Sequence, residues 1–418
     1  MILEIRLSNF FSIKDELILD LRAGNINTRK SKMLAKNVFT FDKIKVLKAV
    51  ALYGANASGK SNIIKAIRFC SSMVIKSHQH NENTIFNFQP FKFYGYSRKP
   101  SSYLIRFVSN GIEYEYSFSL TRTEIITESL YYYPKGRRAK VFTRDERLGA
   151  TKKEVYSFGA VIKRPLDVAE NTSRKTLYIS RASQMDRVVG KEIFQYFNET
   201  FILGYLGYNS RKIEHLFAEN KQLLLQALKM ADSDIVDIKV KKEQHKVKNL
   251  KADFNTNQTS IEDVVEEQLK IISYHKSSPK TAFDFNTEES AGTKKLFFIM
   301  LTLLDIVKNN KVLIIDEIED SLHTSIVEYI IQLFNASQHA QLIFSTHNTK
   351  LLNLNKLRKD QILFVNKKED ASTELYSLYD FSDFRDTMDV EKAYLQGRFD
   401  AVPFIDDSLE SLIPVSHE

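Results

Sequence analysis

Residues 54–61 read Gly-Ala-Asn-Ala-Ser-Gly-Lys-Ser, the spacing G-x-x-x-x-G-K-S. Gly54 and Gly59 let the backbone curl until its N–H groups converge on one anion. Lys60 can then pair with the β- and γ-phosphates of a nucleotide, and the Ser61 hydroxyl can ligate Mg²⁺. The flanks strengthen this Walker A reading. Residues 46–53 form an apolar run that reads as a buried strand, and residues 62–69 place apolar side chains at helical spacing. A chance glycine turn would need neither flank. Gly54, Asn56, Ser58, Gly59, Lys60, Ser61 and Asn62 therefore form the predicted nucleotide-binding set, with ATP and Mg²⁺ as cofactors.

A second group of chemical residues lies far downstream. Residues 311–317 read Lys-Val-Leu-Ile-Ile-Asp-Glu, an apolar strand ending in two acids. Asp316 can hold Mg²⁺ through water, and Glu317, pointing the other way, can polarise an attacking water. Many buried strands end in acids, but one that follows a phosphate-binding loop is a Walker B candidate. Ahead of it, Ser290-Ala291-Gly292-Thr293 forms a small-residue turn opening a helix over 296–307. Such a turn offers N–H groups and hydroxyls to an anion, or simply caps the helix through Ser290 or Thr293. Beyond the acids, an apolar strand over 341–344 runs into Ser345-Thr346-His347. A histidine there can reach a γ-phosphate, although a lone histidine at a strand end is commonly structural.

These residues need a large scaffold, and 418 residues supply two or three domains. A hydrophobic share of 43% with 27% charged residues is that of an ordinary globular chain, and no apolar run approaches a membrane span. The N-terminus lacks the build of a signal peptide, so the expected location is cytoplasmic. The one cysteine, Cys70, sits on the helix after the loop and reads as a buried apolar residue. A net charge of +8 leaves nucleic acid open as a partner without indicating it.

In chain order, residues 1–22 alternate as two strands, and 22–45 read as a basic surface connection. Period-two alternation over 79–135, with a turn at Ser109-Asn110-Gly111, predicts an antiparallel meander whose aromatics pack inward. Residues 135–175 look basic and irregular, and helical periodicity follows at 188–201 and 213–230. A strand over 235–240 precedes the lysines at 239, 241, 242, 246, 248 and 251, which read as a solvated face.

The set of motifs resembles an ABC-type ATPase head of the SMC/RecF/OLD class. Its order is Walker A at 54–61, signature at 290–293, Walker B at 312–317, D-loop at 319–323 and switch histidine at 347. The opening stretch 3–12, with its Asn-Phe-x-Ser turn, fits the same heads. More narrowly, the chain resembles compact ATPases of phage-defence operons of the PARIS type and related abortive-infection systems, through the tail over 394–404 with its Gly397-Arg398-Phe399. The resemblance implies that Ser290, Gly292 and Thr293 act on ATP held by a second subunit, so that the protein is at least a dimer. It also implies Glu317 as catalytic base beside Lys60, and His347 as γ-phosphate sensor. Gln89 is the candidate for the family's metal- and nucleotide-contacting glutamine, although a strand-edge polar residue is an equal reading. Two departures stand out. The signature reads Ser-Ala-Gly-Thr where transporters have Ser-Gly-Gly-Gln. The 71 residues after His347 (418 minus 347) carry Asp383, Asp386 and Asp389 without the strands to mount them as a Toprim nuclease.

The resulting expectation is an α/β fold: a P-loop ATPase head of mixed sheet and antiparallel β subdomain, with an inserted, mainly helical middle region. The expected domains are the first part of the head over 1–78, the β subdomain and basic linker over 79–175 and the helical insertion over 176–283. The second part of the head over 284–380 and an extension over 381–418 complete it. The expected function is a nucleotide-dependent switch in anti-phage defence. It answers a phage-encoded trigger and controls a separate effector, a Toprim-type nuclease, without membrane involvement. The rival is a RecF-like repair ATPase that grips DNA through the lysines at 239–251 and the arginines at 137–144.

Overall fold

The computed structural model describes residues 1–204, 210–230, 234–253, 258–320 and 322–402, with the side chains of 210–212, 230 and 244–268 left aside. The chain divides into two compact units, 1–204 with 310–418 and 205–309. Among the described residues no helix is long and apolar enough to cross a membrane.

The first unit holds a six-stranded sheet in the order Phe201–Leu203, Val312–Ile315, Gln341–Ser345, Ala49–Tyr53, Ile362–Lys367, Thr373–Ser377. The first five strands run parallel and the last antiparallel. Ala49–Tyr53 and Val312–Ile315 are buried throughout, as expected of parallel strands covered on both faces. A seven-stranded antiparallel sheet runs Tyr156–Phe158, Ala139–Asp145, Ile125–Tyr132, Ile112–Leu120, Ser101–Ser109, Ile2–Ser8, Leu17–Asp20. The helix Lys60–Lys76 buries Ile63, Ile64, Ile67, Met73 and Val74 in one core shared with both sheets. Gln341 ties the sheets together: its side chain accepts from the Ile2 N–H at 2.6 Å and donates to the Ile2 and Leu47 carbonyls at 2.9 and 3.2 Å.

The meander packs its aromatics as expected, with Tyr103, Tyr114, Tyr116 and Phe118 buried. Four expectations need correction. Residues 22–45 are not a plain connection, because Thr28 caps the helix Arg29–Met33 and a hairpin follows, Val38–Phe41 against Ile44–Leu47. The apolar run 46–53 is two strands rather than one. Lys48 divides it, turning inward so that Nζ caps the Asn335 and Ser337 carbonyls at 3.1 and 2.5 Å. Residues 79–100 do not begin the meander, since their backbone bonds to Asn9: its Oδ1 accepts from Phe91 N–H and its Nδ2 donates to the Tyr96 and Lys99 carbonyls. Residues 135–175 contain two strands of the sheet. Their alternation is disguised by Arg144, which is fully buried against Glu146 at 2.7 Å and Glu128 at 3.6 Å.

In the second unit the helix Ser210–Met230 is followed by two long antiparallel strands, Ile235–Asp253 and Gln258–His275, with Ser278–Asp284 beside the second. The strand foreseen over 235–240 is thus the root of a ribbon, and helices fill only the first part of 176–283. The expected boundary at 283/284 falls inside this unit, which also holds the signature turn.

At the other end of the chain the helix Val390–Leu395 leads to Gly397-Arg398-Phe399. Phe399 is fully buried, stacked on Phe364 at 4.7 Å and edge-on to Phe381 and Phe384. Residues 403 and 404 of that tail motif lie outside the described residues. Phe399→Ala should cost about 3–5 kcal/mol, read as a lower urea midpoint with ATP binding retained by the folded fraction. An unshifted midpoint would mean that the motif is not part of the core.

Candidate nucleotide site

Three neighbouring parallel strands end at one edge, within two residues of one another. Phe344 pairs with both Ala51 and Ile315, so Gly54, Asp316 and Thr346 leave the sheet at the same edge. Ligands of open parallel sheets bind at that edge. Here a cavity of about 530 Å³ is lined by Asn56, Gly59, Lys60, Ser61, Asn62, Gln89, Glu317 and His347, among others. Residues from four distant parts of the sequence therefore meet at one place.

The loop is held from behind. Gly59 has φ 116° and begins the helix Lys60–Lys76, so no side chain claims the first-turn N–H groups. A Cβ at Gly59 would lie 2.0 Å from Thr373 Oγ1, and one at Gly54 would lie 2.2 Å from the Val365 carbonyl oxygen. Both positions require glycine for space. Thr373 Oγ1 donates to the Ser58 carbonyl at 2.9 Å and bonds the Ser12 hydroxyl at 2.7 Å, which accepts from Asn62 Nδ2 at 2.7 Å. Ser58 is buried in the loop and, like Gly54, does not line the cavity.

Lys60 is buried, with Nζ donating to the Gly54 and Ala55 carbonyls at 2.8 and 2.9 Å. Burial pushes its ammonium down to about 8, against the opposing pull of Asp316, Glu317 and Glu319. His347 is likewise held below its ordinary value, first by desolvation and then by the nearby Lys60 charge. A neutral imidazole at pH 7 can donate a hydrogen bond to an anion. Glu317 is exposed and stands at φ 49°, a left-handed value costing about 1–2 kcal/mol in a residue with a side chain. Its N–H is bonded to Ser345 Oγ at 2.7 Å, and the same hydroxyl donates to Asp316 Oδ1 at 2.5 Å. The His347 N–H donates to Glu319 Oε1 at 2.5 Å.

Gln89 lines the cavity, and its carbonyl accepts from the Phe11 N–H at 2.7 Å. Ser290 caps the helix Ala291–Lys308, its Oγ accepting from the Thr293 N–H at 3.0 Å, so within its own unit the signature turn is a helix N-cap. Ser290, Gly292 and Thr293 all belong to that second unit. Ser321 of the D-loop lies outside the described residues. Sequence reading placed Glu319 only within the D-loop stretch and named none of Ser12, Ser345 and Thr373 as a site residue. For Ser12 the Asn-Phe-x-Ser turn was a signal; Thr373 has none, because its role comes from a strand pairing.

A family model described as "AAA domain, putative AbiEii toxin, Type IV TA system" matches residues 49–353. The chain belongs to this family. Its fold is that of an ABC-type P-loop ATPase head, carried by the strand order and by where the motifs sit on it. Comparison with curated proteins finds no match. Among solved structures, an SMC head bound to the C-winged helix domain of ScpA is similar at 16% identity and TM-score 0.38, covering 94% of this chain and 99% of that one. The SMC head domain from Thermotoga maritima is similar at 16% identity and TM-score 0.36, covering 90% and 98%.

The donor set fits Mg²⁺ only with help from a nucleotide. Among the described residues no group of three His, Cys, Asp or Glu side chains could hold a metal by itself. Ser61 and Asp316 offer a hydroxyl and a half-buried carboxylate, and phosphates would have to complete such a shell. The lowered Lys60 gives a prediction. Polyphosphate must raise the pKa of this ammonium, so ATP binding near pH 8 and above should take up a proton, and affinity should fall as pH rises. Calorimetry in buffers of different ionisation enthalpy measures the uptake. Binding without proton exchange at pH 8.5 would show Lys60 to be fully charged beforehand.

Proposed function

We propose that the protein is an ATP-hydrolysing switch of anti-phage defence. The observation that carries this reading is the single cavity lined by Lys60, Ser61, Glu317 and His347. In this reading the loop N–H groups and Lys60 grip the β- and γ-phosphates. Ser61 and Asp316, together with phosphate oxygens, would hold Mg²⁺, which would supply charge neutralisation at those oxygens. Glu317 takes the proton of a water that attacks the γ-phosphorus while the bond to the β-phosphate oxygen breaks, releasing ADP and phosphate. Neutral His347 donates to the γ-phosphate, which lets the site tell ATP from ADP, and Gln89 contacts the nucleotide–metal group. Ser290, Gly292 and Thr293 of a second copy close over the same nucleotide, so the working form is at least a homodimer.

The family description, with its toxin and toxin–antitoxin terms, supports a defence role. The trigger is phage-encoded, and the effector is a separate chain of nuclease type in the cytoplasm, controlled by ATP state. The unit over 205–309 is the sensing part. Its ribbon root is bonded to the signature turn: His275 Nε2 lies 2.7 Å from Glu289 Oε1, the residue before Ser290, and Ser273 Oγ donates to the same oxygen at 2.5 Å.

A DNA-gripping role finds less support among the described residues. Arg144 is buried, Arg138 pairs with Glu115 at 2.7 Å, Lys242 pairs with Glu214 at 2.5 Å and Lys239 lies over the Tyr274 ring. The side chains of Lys246, Lys248 and Lys251 lie outside the described residues.

The wild type should turn over ATP. Lys60→Ala should lose nucleotide binding, and Glu317→Gln should bind ATP while losing about 10²–10⁴-fold of turnover. Ser290→Arg should bind ATP yet neither dimerise nor hydrolyse it. Light scattering on Glu317→Gln, with and without ATP–Mg²⁺ and then with DNA, reads the assembly. Full turnover by Ser290→Arg would end the two-subunit site, and a complex formed only with DNA would favour the repair role.

A further inference from the structure

We propose that Ser345 is a positioning residue for hydrolysis, joining the acidic turn to the histidine strand so that Glu317 and His347 move as one piece. The inference rests on the reading of those two residues as base and sensor, and adds what holds them. Ser345 is the last residue of the strand Gln341–Ser345 and is fully buried. It is not among the residues lining the cavity, so it acts through its neighbours rather than on the nucleotide.

One residue makes three bonds to three consecutive positions. Its Oγ donates to Asp316 Oδ1 at 2.5 Å and accepts from the Glu317 N–H at 2.7 Å. Its carbonyl accepts from the Ile318 N–H at 3.1 Å. The chemistry of the two side-chain bonds narrows the choice of residue. An ionised carboxylate only accepts and a peptide N–H only donates, so the atom between them must do both. A hydroxyl does this, and an alanine side chain does neither.

The bond to Glu317 matters most because of the backbone there. At φ 49° this non-glycine residue persists only while its surroundings fix it. Without the Ser345 acceptor the Glu317 peptide loses its partner and can relax to a negative φ, which swings the carboxylate off the cavity wall. Two residues beyond Ser345, the His347 N–H is bonded to Glu319, two residues beyond Glu317. The acidic turn and the histidine loop are thus joined at two successive points, and a shift of His347 toward or away from a phosphate must carry Glu317 with it.

The test compares Ser345→Ala, Ser345→Thr and Glu317→Gln in the full chain, with ATP affinity from calorimetry and turnover from phosphate release. Ser345→Ala should bind ATP within about twofold of wild type and lose about 10–100-fold in kcat, the scale of an ångström-sized misplacement. Ser345→Thr, which keeps the hydroxyl, should recover most of that loss. Wild-type turnover by Ser345→Ala overturns the proposal. So does a joint loss of affinity and turnover that threonine does not repair, because that is the behaviour of a packing residue. Glu317→Gln separates the two levels: if it is fast, the reading of Glu317 as base fails. If it is slow while Ser345→Ala is fast, only the role of Ser345 falls.

Discussion

The constraint on which the rest depends is the register that brings three parallel strands to one edge. A phosphate-binding loop, a pair of acids and a histidine are each ordinary alone. They become a site because the strand carrying the histidine is hydrogen-bonded between the loop strand and the acid strand, with Phe344 level with both Ala51 and Ile315. A slip of one residue in either pairing would turn the strand's alternate side chains to the opposite face and shift the acids along the edge. The full burial of these strands guards against such slips, since every apolar side chain would be displaced. Stability of the core and geometry of the site are therefore one requirement.

Charge balance follows from that geometry. The Lys60 ammonium lies in a buried setting that disfavours it, while three carboxylates on the neighbouring turn favour it. Neither influence cancels the other, which leaves the lysine poised near neutrality and responsive to an added anion. Desolvation, and after it the charge of the same lysine, holds the His347 pKa below its ordinary value. A neutral ring is suited to touching phosphate as a donor that does not add a second full charge. The site thus sets the carbonyl-held Lys60 ammonium beside several acids, and a polyanion alters all of them together.

The motif residues were legible because their chemistry is local: a glycine loop, a strand ending in acids and a capped turn each announce themselves within a few positions. What the sequence concealed is side chains that act against type. Lys48 and Arg144 look like surface residues, yet one holds the Asn335 and Ser337 carbonyls at the end of the helix Thr324–Ala336 and the other is buried against Glu128 and Glu146. Asn9 looks like part of a turn, yet it organises the backbone of residues 91–99 and so the wall that carries Gln89. Thr373 supports the loop from a strand more than 300 residues away in sequence, and spacing cannot reveal such a partner. The ribbon showed only its first few residues, because lysines and acids hide the alternation beyond Val240.

The division of the chain adds a last step. The loop, acids and histidine lie in one unit, and the signature turn lies in the other with the ribbon. At the ribbon root His275 stands between two carboxylates, Asp234 on Nδ1 and Glu289 on Nε2, both at 2.7 Å. Burial opposes protonation of this ring, but the two acids outweigh it and raise its pKa above the ordinary histidine value. A ring bonded through both nitrogens to acids is directional in a way that apolar contact is not, since moving it breaks two hydrogen bonds. Glu289 is covalently next to Ser290, whose hydroxyl caps the signature helix. Strand, imidazole, carboxylate and cap therefore form a short, continuous chain of bonds that ties the ribbon root to the turn at Ser290.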